Sequence, residues 1–385
     1  MGRTRPKTRK TRPPAAELIE TQRERESEPT AEALLQKAQE LIVQCDYNLA
    51  GKFVERVLQR APDNVEAKEI LGVVQLETGL LDSAKQTFLS LLPPNPGAPS
   101  PSPSPPPPAV HLYLAQLSDD DPQMALKHFA AAVDILTLQL KGKERAADLV
   151  STKNDEDETR RTIVRALIGQ VEIWMDPAYD LCFDPAAEST CEELLKSALQ
   201  IDPENTEALQ TLASVRMSQQ RPDEAKAILE KAWSSWKDLD ADDPQLPPIA
   251  SRLNLTKLFL ELSLFTPALL VLQGIMASDD EEVEAWYLEG WCFFFMAEQA
   301  REQGGKLDGL TWEELARDSR DCLETCKTIH INQGHHDIPI REHVKELIFK
   351  LEELGVKPSP EDDGQDEEWE DYEGSDGSES DVEMS

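Results

Sequence analysis

The residues whose types could do chemistry are few, and they gather near the C-terminal end. Cys322, Cys326 and His330 fall at i, i+4 and i+8, roughly one face of a helix, with His335 and His336 just beyond. That spacing could begin a zinc site. Cys326, however, sits where a small buried residue is wanted, and cysteine is among the most buried residue types. The sequence therefore predicts no metal and no other cofactor. Acid runs such as Asp119-Asp120-Asp121 and Asp279-Asp280-Glu281-Glu282 lack calcium-loop spacing and read as solvated helix starts. Phosphate-binding glycine loops, H-E-x-x-H and G-x-S-x-G are all missing, so no enzyme signature is present.

The elements behind these residues repeat. Ala50 and Ala84 stand 34 residues apart in similar settings, as do Cys191 and Ala225, and Pro62 and Pro96. Ala285-Trp286-Tyr287-Leu288-Glu289-Gly290 matches the start of another such unit. This resembles the tetratricopeptide repeat, a pair of antiparallel helices. Small residues at the eighth and twentieth positions let the pair approach closely: Ala38 with Ala50, Gly72 with Ala84, Ala213 with Ala225. Larger residues near position 24, such as Phe88, Phe129, Leu229 and Leu272, fill the space against the next unit. One hairpin cannot bury its own apolar face, so the units must stack. The expected fold is all-α, a tetratricopeptide-repeat superhelical solenoid.

About seven units are expected, in five segments. Residues 1–28 are a disordered basic N-terminus and 29–92 hold repeats one and two. Residues 93–109, with ten prolines from Pro93 to Pro108, form an extended insertion. Residues 110–355 hold repeats three to seven plus a capping helix near 339–354, and 356–385 are a disordered acidic tail. Residues 141–160 read as a charged, weakly structured connection. The fourth repeat carries an insertion around Asp176-Pro177 and Asp184-Pro185, and Gly304-Gly305 marks an inserted loop in the seventh.

Charge narrows the partners. The 385 residues carry a formal net charge of -35. Arg3, Arg5, Lys7, Arg9, Lys10 and Arg12 give the first 14 residues +6, while residues 361–385 carry 13 acids and no Lys or Arg. The intervening 346 residues therefore hold -28, so the acidity belongs mainly to the body. Such a surface repels nucleic-acid phosphates and anionic lipid and attracts a basic protein. No run is long and apolar enough for a membrane span, and no secretory signal is visible.

In a stack of these units the first helix of each lines the inner face, through positions two, five, nine, twelve and thirteen. Those positions hold Glu66, Glu69 and Glu77 in the second unit, Glu207 in the fifth and Glu261 in the sixth. The seventh supplies Glu284, Tyr287 and Trp291, with Phe294 and Phe295 assignable to groove or core. Acids interleaved with aromatics suit an Arg- or Lys-rich peptide through ion pairs and cation–π contacts. The first unit presents Glu32, Leu35, Gln39, Ile42 and Val43, not the cationic clamp that would hold an acidic chaperone tail.

The overall layout resembles the fungal assembly chaperones of large-subunit ribosomal protein four, most closely in Ala285–Cys292 and from Cys191 to Ala225. The resemblance implies a non-enzymatic chaperone that captures that basic ribosomal protein and escorts it from cytoplasm to nucleus; the chain is expected to be a monomer. An import receptor is a further partner, addressed through the six basic N-terminal residues. A scaffold or co-chaperone adaptor and a histone chaperone remain as alternatives. Ser378 and Ser380 each precede an acid by three residues (Asp381, Glu383) and are candidates for acid-directed phosphorylation.

Overall fold

The structure, a computed structural model, describes residues 29–93, 106–145 and 153–359. These fold into fifteen α-helices, which pair into seven antiparallel hairpins and one further helix. The chain divides into two compact units, Met1–Ser235 and Trp236–Ser385. The first contains α1 (Ala31–Val43), α2 (Tyr47–Arg60), α3 (Val65–Glu77), α4 (Leu81–Leu89), α5 (Pro108–Gln116) and α6 (Pro122–Arg145). It continues with α7 (Lys153–Met175), α8 (Ala187–Ile201), α9 (Thr206–Ser218) and α10 (Pro222–Ser234). The second contains α11 (Ile249–Glu261), α12 (Phe265–Met276), α13 (Val283–Glu302), α14 (Trp312–Gln333) and α15 (Ile338–Glu353).

Local chemistry sets the hairpins. First helices open on capping side chains: Thr30 accepts the Ala33 N–H at 3.2 Å, Asn64 that of Ala67 at 2.8 Å, and Asn205 that of Ala208 at 2.9 Å. The turn between the two helices closes identically in four repeats. The N–H groups of Asp46, Leu80, Arg221 and Leu264 each reach back five residues to a helical carbonyl, at 2.8–2.9 Å. The residue before each donor is left-handed: Cys45 (φ 59°), Gly79 (78°), Gln220 (59°) and Ser263 (55°). This is the Schellman closure, and only one of the four carries the glycine that adopts it without strain. Ala38, Ala50, Ala84, Ala213 and Ala225 are all fully buried, and Gly72 is buried against the ring of Phe88. Phe88, Leu229 and Leu272 are likewise buried, whereas Phe129 is partly exposed.

The structure departs from the sequence reading in four places. The 141–160 stretch is not weakly structured at its ends, because α6 runs to Arg145 and α7 starts at Lys153. Leu136 and Leu140 share a buried cluster with Ile163 and Val164, so apolar faces farther in carry the charged ends as helix. Asp155 and Glu156 also lie in the first turn of α7, where the helix dipole favours them. Second, α5 begins at Pro108, inside the proline-rich stretch, since proline is preorganised for a first turn. Third, the Gly304-Gly305 loop leads into a two-stranded hairpin, β1 (Lys306–Leu307) and β2 (Leu310–Thr311), turned by Asp308 (φ 51°) and Gly309 (88°). Fourth, residues 356–359 lie against α14: Arg320 donates to the Val356 carbonyl at 2.8 Å, and Asp321 accepts the Ser359 N–H at 3.0 Å. Two 3-10 turns, Pro177–Tyr179 and Leu181–Phe183, occupy the insertion in the fourth repeat. Among the described residues no helix is long and apolar enough to cross a membrane.

Candidate peptide-binding surface

First helices of neighbouring hairpins touch one another within each unit: α1 with α3, α7 with α9, α11 with α13. Their outward-facing residues therefore form a strip along each of these three contacts, and most of the sequence-predicted acids lie on the helices involved.

In the first unit, Glu66 is exposed and accepts a hydrogen bond from Gln39 across the α1–α3 seam at 3.4 Å. Glu69 lies beside it, and burial followed by the Glu66 charge raises its carboxyl above the usual range. Glu69 and Glu77 both act on the Tyr113 hydroxyl of α5, whose pKa is raised mainly by burial. Gln39, Ile42, Val43, Glu66, Glu69 and Val73 line an open cleft of about 400 Å³, with apolar walls and carboxylates at the rim. Farther along, Glu207 of α9 raises the carboxyl of Glu172 of α7, after burial. A smaller cleft of about 200 Å³ adjoins Glu172, Asp119 and Asp176, with Phe129 and Tyr179 in its wall.

In the second unit, Tyr287, Trp291 and Phe295 form a stripe along α13 at i, i+4 and i+8. Tyr287 stacks on Trp291 with centroids 5.6 Å apart, and Trp291 meets Phe295 at 5.2 Å. His343 of α15 stands edge-on to Trp291 at 5.3 Å, and its Nδ1 is hydrogen-bonded to the Tyr287 hydroxyl at 2.8 Å. Burial, then Glu284, pushes that hydroxyl up to about 12. Trp291 and Phe295 form one wall of a cleft of about 710 Å³, with Glu261, Glu298 and Glu302 on its margin. An aromatic floor with a carboxylate rim is a receptor for cationic side chains, since the ring faces and the acids attract the same charge.

The structure sharpens two sequence assignments. Glu284 is not a free acid: Lys257 of α11 pairs with it at 2.7 Å. Phe294 belongs to the core, being 6% exposed, while Phe295 belongs to the cleft. Sequence reasoning missed Glu172, Glu298, Glu302, Lys257, Tyr113 and His343. Glu172 was findable, as it is the twelfth residue of a unit starting at 161. Glu298 and Glu302 were not, because α13 has 20 residues where the regular first helices α1, α3, α9 and α11 have 13 each, so they lie past the repeat template.

The cysteine–histidine group is dispersed onto other partners. The Cys326 thiol lies 3.4 Å from the Val283 carbonyl, that of Cys322 lies 3.5 Å from Glu289, and His330 Nε2 meets the Asp337 carbonyl at 2.9 Å. Burial pushes the thiols of Cys292 and Cys326 up to about 12 and that of Cys191 to about 11, which suppresses the thiolate needed for nucleophilic chemistry. Among the described residues no group of three or more His, Cys, Asp or Glu is arranged to hold a metal ion. The basic residues Arg3 to Arg12 and the serines Ser378 and Ser380 lie outside the described residues.

Comparison with known proteins decides what this strip belongs to. The tetratricopeptide-repeat family matches residues 191–238. The chain is 30% identical over 356 residues to a protein of Schizosaccharomyces pombe named probable assembly chaperone of rpl4, spanning 92% of this chain and 95% of that one. It belongs to the family of assembly chaperones of rpl4. A second member, from Emericella nidulans and bearing the same name, is 29% identical over 347 residues, 88% of this chain and 85% of its own. A solved structure of the assembly chaperone of RpL4, Acl4, is 29% identical with a TM-score of 0.62, covering 72% of this chain and all of that one. Family membership agrees with the all-α tetratricopeptide-repeat fold seen in both units.

Proposed function

We propose that this chain is a non-enzymatic, dedicated chaperone that binds newly made rpl4, shields its basic surface, and accompanies it into the nucleus for large-subunit assembly. A ribosomal protein awaiting RNA carries exposed positive charge, and an acidic surface can occupy that charge until polyanionic RNA displaces it. The observation that carries the reading is the Trp291–Phe295 wall with Glu261, Glu298 and Glu302 at its edge. Family membership favours this client over a histone and over an adaptor role. The six basic N-terminal residues are proposed as the import address, read by an import receptor in a chaperone that shuttles between cytoplasm and nucleus as a monomer.

Isolation of the tagged protein from its own cells at low salt, followed by mass spectrometry, tests this. Stoichiometric rpl4 is expected. A histone or a heat-shock chaperone as the stoichiometric partner overturns it.

A further inference from the structure

The root of the acidic tail is fastened to α14 at two adjacent residues. Arg320, buried on that helix, donates Nη1 to the Val356 carbonyl and Nη2 to Glu352, each at 2.8 Å. Asp321 then receives Ser359 twice: Oδ1 accepts its backbone N–H at 3.0 Å and Oδ2 accepts its hydroxyl. Ser359 lies between Pro358 and Pro360, neither of which has an N–H, so the fastening at this point runs through one serine and one carboxylate. Ser359 is also exposed, and a residue preceding proline is held extended. Directly beyond begins the stretch 361–385, with 13 acids and no Lys or Arg.

We propose that Ser359 is a phosphorylation site for a proline-directed protein kinase, and that the phosphate opens the Ser359–Asp321 clasp and frees the root of the acidic tail from α14. Such kinases recognise a serine followed immediately by proline and take it in extended conformation, the one that a following proline favours at Ser359. The Ser359 Oγ attacks the γ-phosphorus of kinase-bound ATP. The Oγ–P bond forms as the bond from that phosphorus to the β-phosphate oxygen breaks, ADP leaves, and the hydroxyl proton passes to the kinase's carboxylate base and on to water.

The product cannot keep the clasp. It has lost the hydroxyl donor and gained about -1.5 to -2 of charge beside a carboxylate. The surroundings offer little relief. Asp318, one turn back, already has its carboxyl raised by burial and then by Asp321, with Arg317 only partly offsetting this. Arg320 is committed to Glu352, Glu324 and Val356.

The test uses the full-length protein, ATP and a recombinant cyclin-dependent kinase. Three more Ser-Pro pairs, at Ser100, Ser102 and Ser104, serve as internal reporters of kinase activity. Mass mapping is expected to place phosphate on Ser359, with that peptide unmodified in Ser359→Ala. In protein labelled with nitrogen-15 serine, amide exchange at Ser359 is expected to accelerate at least tenfold on phosphorylation, and similarly in unphosphorylated Asp321→Ala. Freeing the hydroxyl in Asp321→Ala is expected to speed phosphorylation several-fold. Labelling of the Ser100–Ser104 pairs with Ser359 untouched overturns the site. Full phosphorylation with unchanged amide exchange overturns the clasp.

Discussion

Backbone contact between helices is decided at single glycines. At Gly290 an added Cβ would lie 2.7 Å from Leu323 Cγ and 3.2 Å from the Ser319 carbonyl, and the Ser319 hydroxyl donates to the Gly290 carbonyl at 2.7 Å. Gly290→Ala is therefore expected to destabilise the fold by about 1–3 kcal/mol through overpacking. Gly274, in α12, has nothing within 4 Å of such a Cβ, and Gly274→Ala is expected to stabilise by about 0.5–1 kcal/mol. Denaturant melts of the pair measure both, and equal effects would contradict the packing argument. Gly290 was legible beforehand as the eighth residue of its unit. Glu289 beside it was not, because its 7% exposure places a carboxyl where the repeat pattern predicts only packing. Burial raises the Glu289 carboxyl and Asp318 adds to this, while the Cys322 thiol opposes it. A folded pKa above the unfolded one means that the folded state holds its proton longer. Stability is thus lost as pH rises from the unfolded to the folded pKa, and the loss persists at neutral pH. Glu289→Gln is expected to raise Tm at pH 7 and to leave it nearly unchanged at pH 4.

At the scale of helices, spacing made the hairpins legible and composition did not make their ends legible. The 34-residue intervals locate Ala50, Ala84 and Ala225, all fully buried, because close approach tolerates nothing larger. Charged termini such as Asp155-Glu156 mimic linker in composition, yet continue a helix whose apolar face lies elsewhere. The same limit applies to the cleft. Tyr287 and Trp291 were placed by counting, but the Lys257–Glu284 pair joins two helices whose relative height no count supplies. That pair has a consequence for binding. Lys257 lines the cleft while paired with Glu284; Lys257→Ala removes that positive charge and is expected to tighten a basic client several-fold. Trp291→Ala removes the ring shared by Tyr287, Phe295 and His343 and is expected to weaken the client at least fivefold, with unchanged helical content. Titration calorimetry with purified rpl4 reads both. Weakening by Lys257→Ala would mean that the client brings acids to this cleft.

For the molecule as a whole, charge acts before contact. With -28 in the body and -13 in residues 361–385, a basic client is drawn in from beyond contact distance. Screening shortens that reach: the Debye length is about 10 Å at 0.1 M salt and about 3 Å at 1 M. Steering of this kind appears in the association rate, whereas contacts in the clefts set the dissociation rate. Raising sodium chloride from 50 to 500 mM is therefore expected to slow association with rpl4 tenfold or more and to change dissociation much less. Truncation after Pro360 removes the -13 segment and leaves every described cleft in place. It is expected to slow association a few-fold at 50 mM and to have no effect at 500 mM, where the tail is screened from the client. Stopped-flow kinetics at the two salts separates the contributions. A rate unchanged by truncation at 50 mM, with the salt effect intact, would assign the steering to the body alone. An association rate insensitive to salt in the intact chain would overturn electrostatic capture and leave the aromatic wall as the main source of affinity.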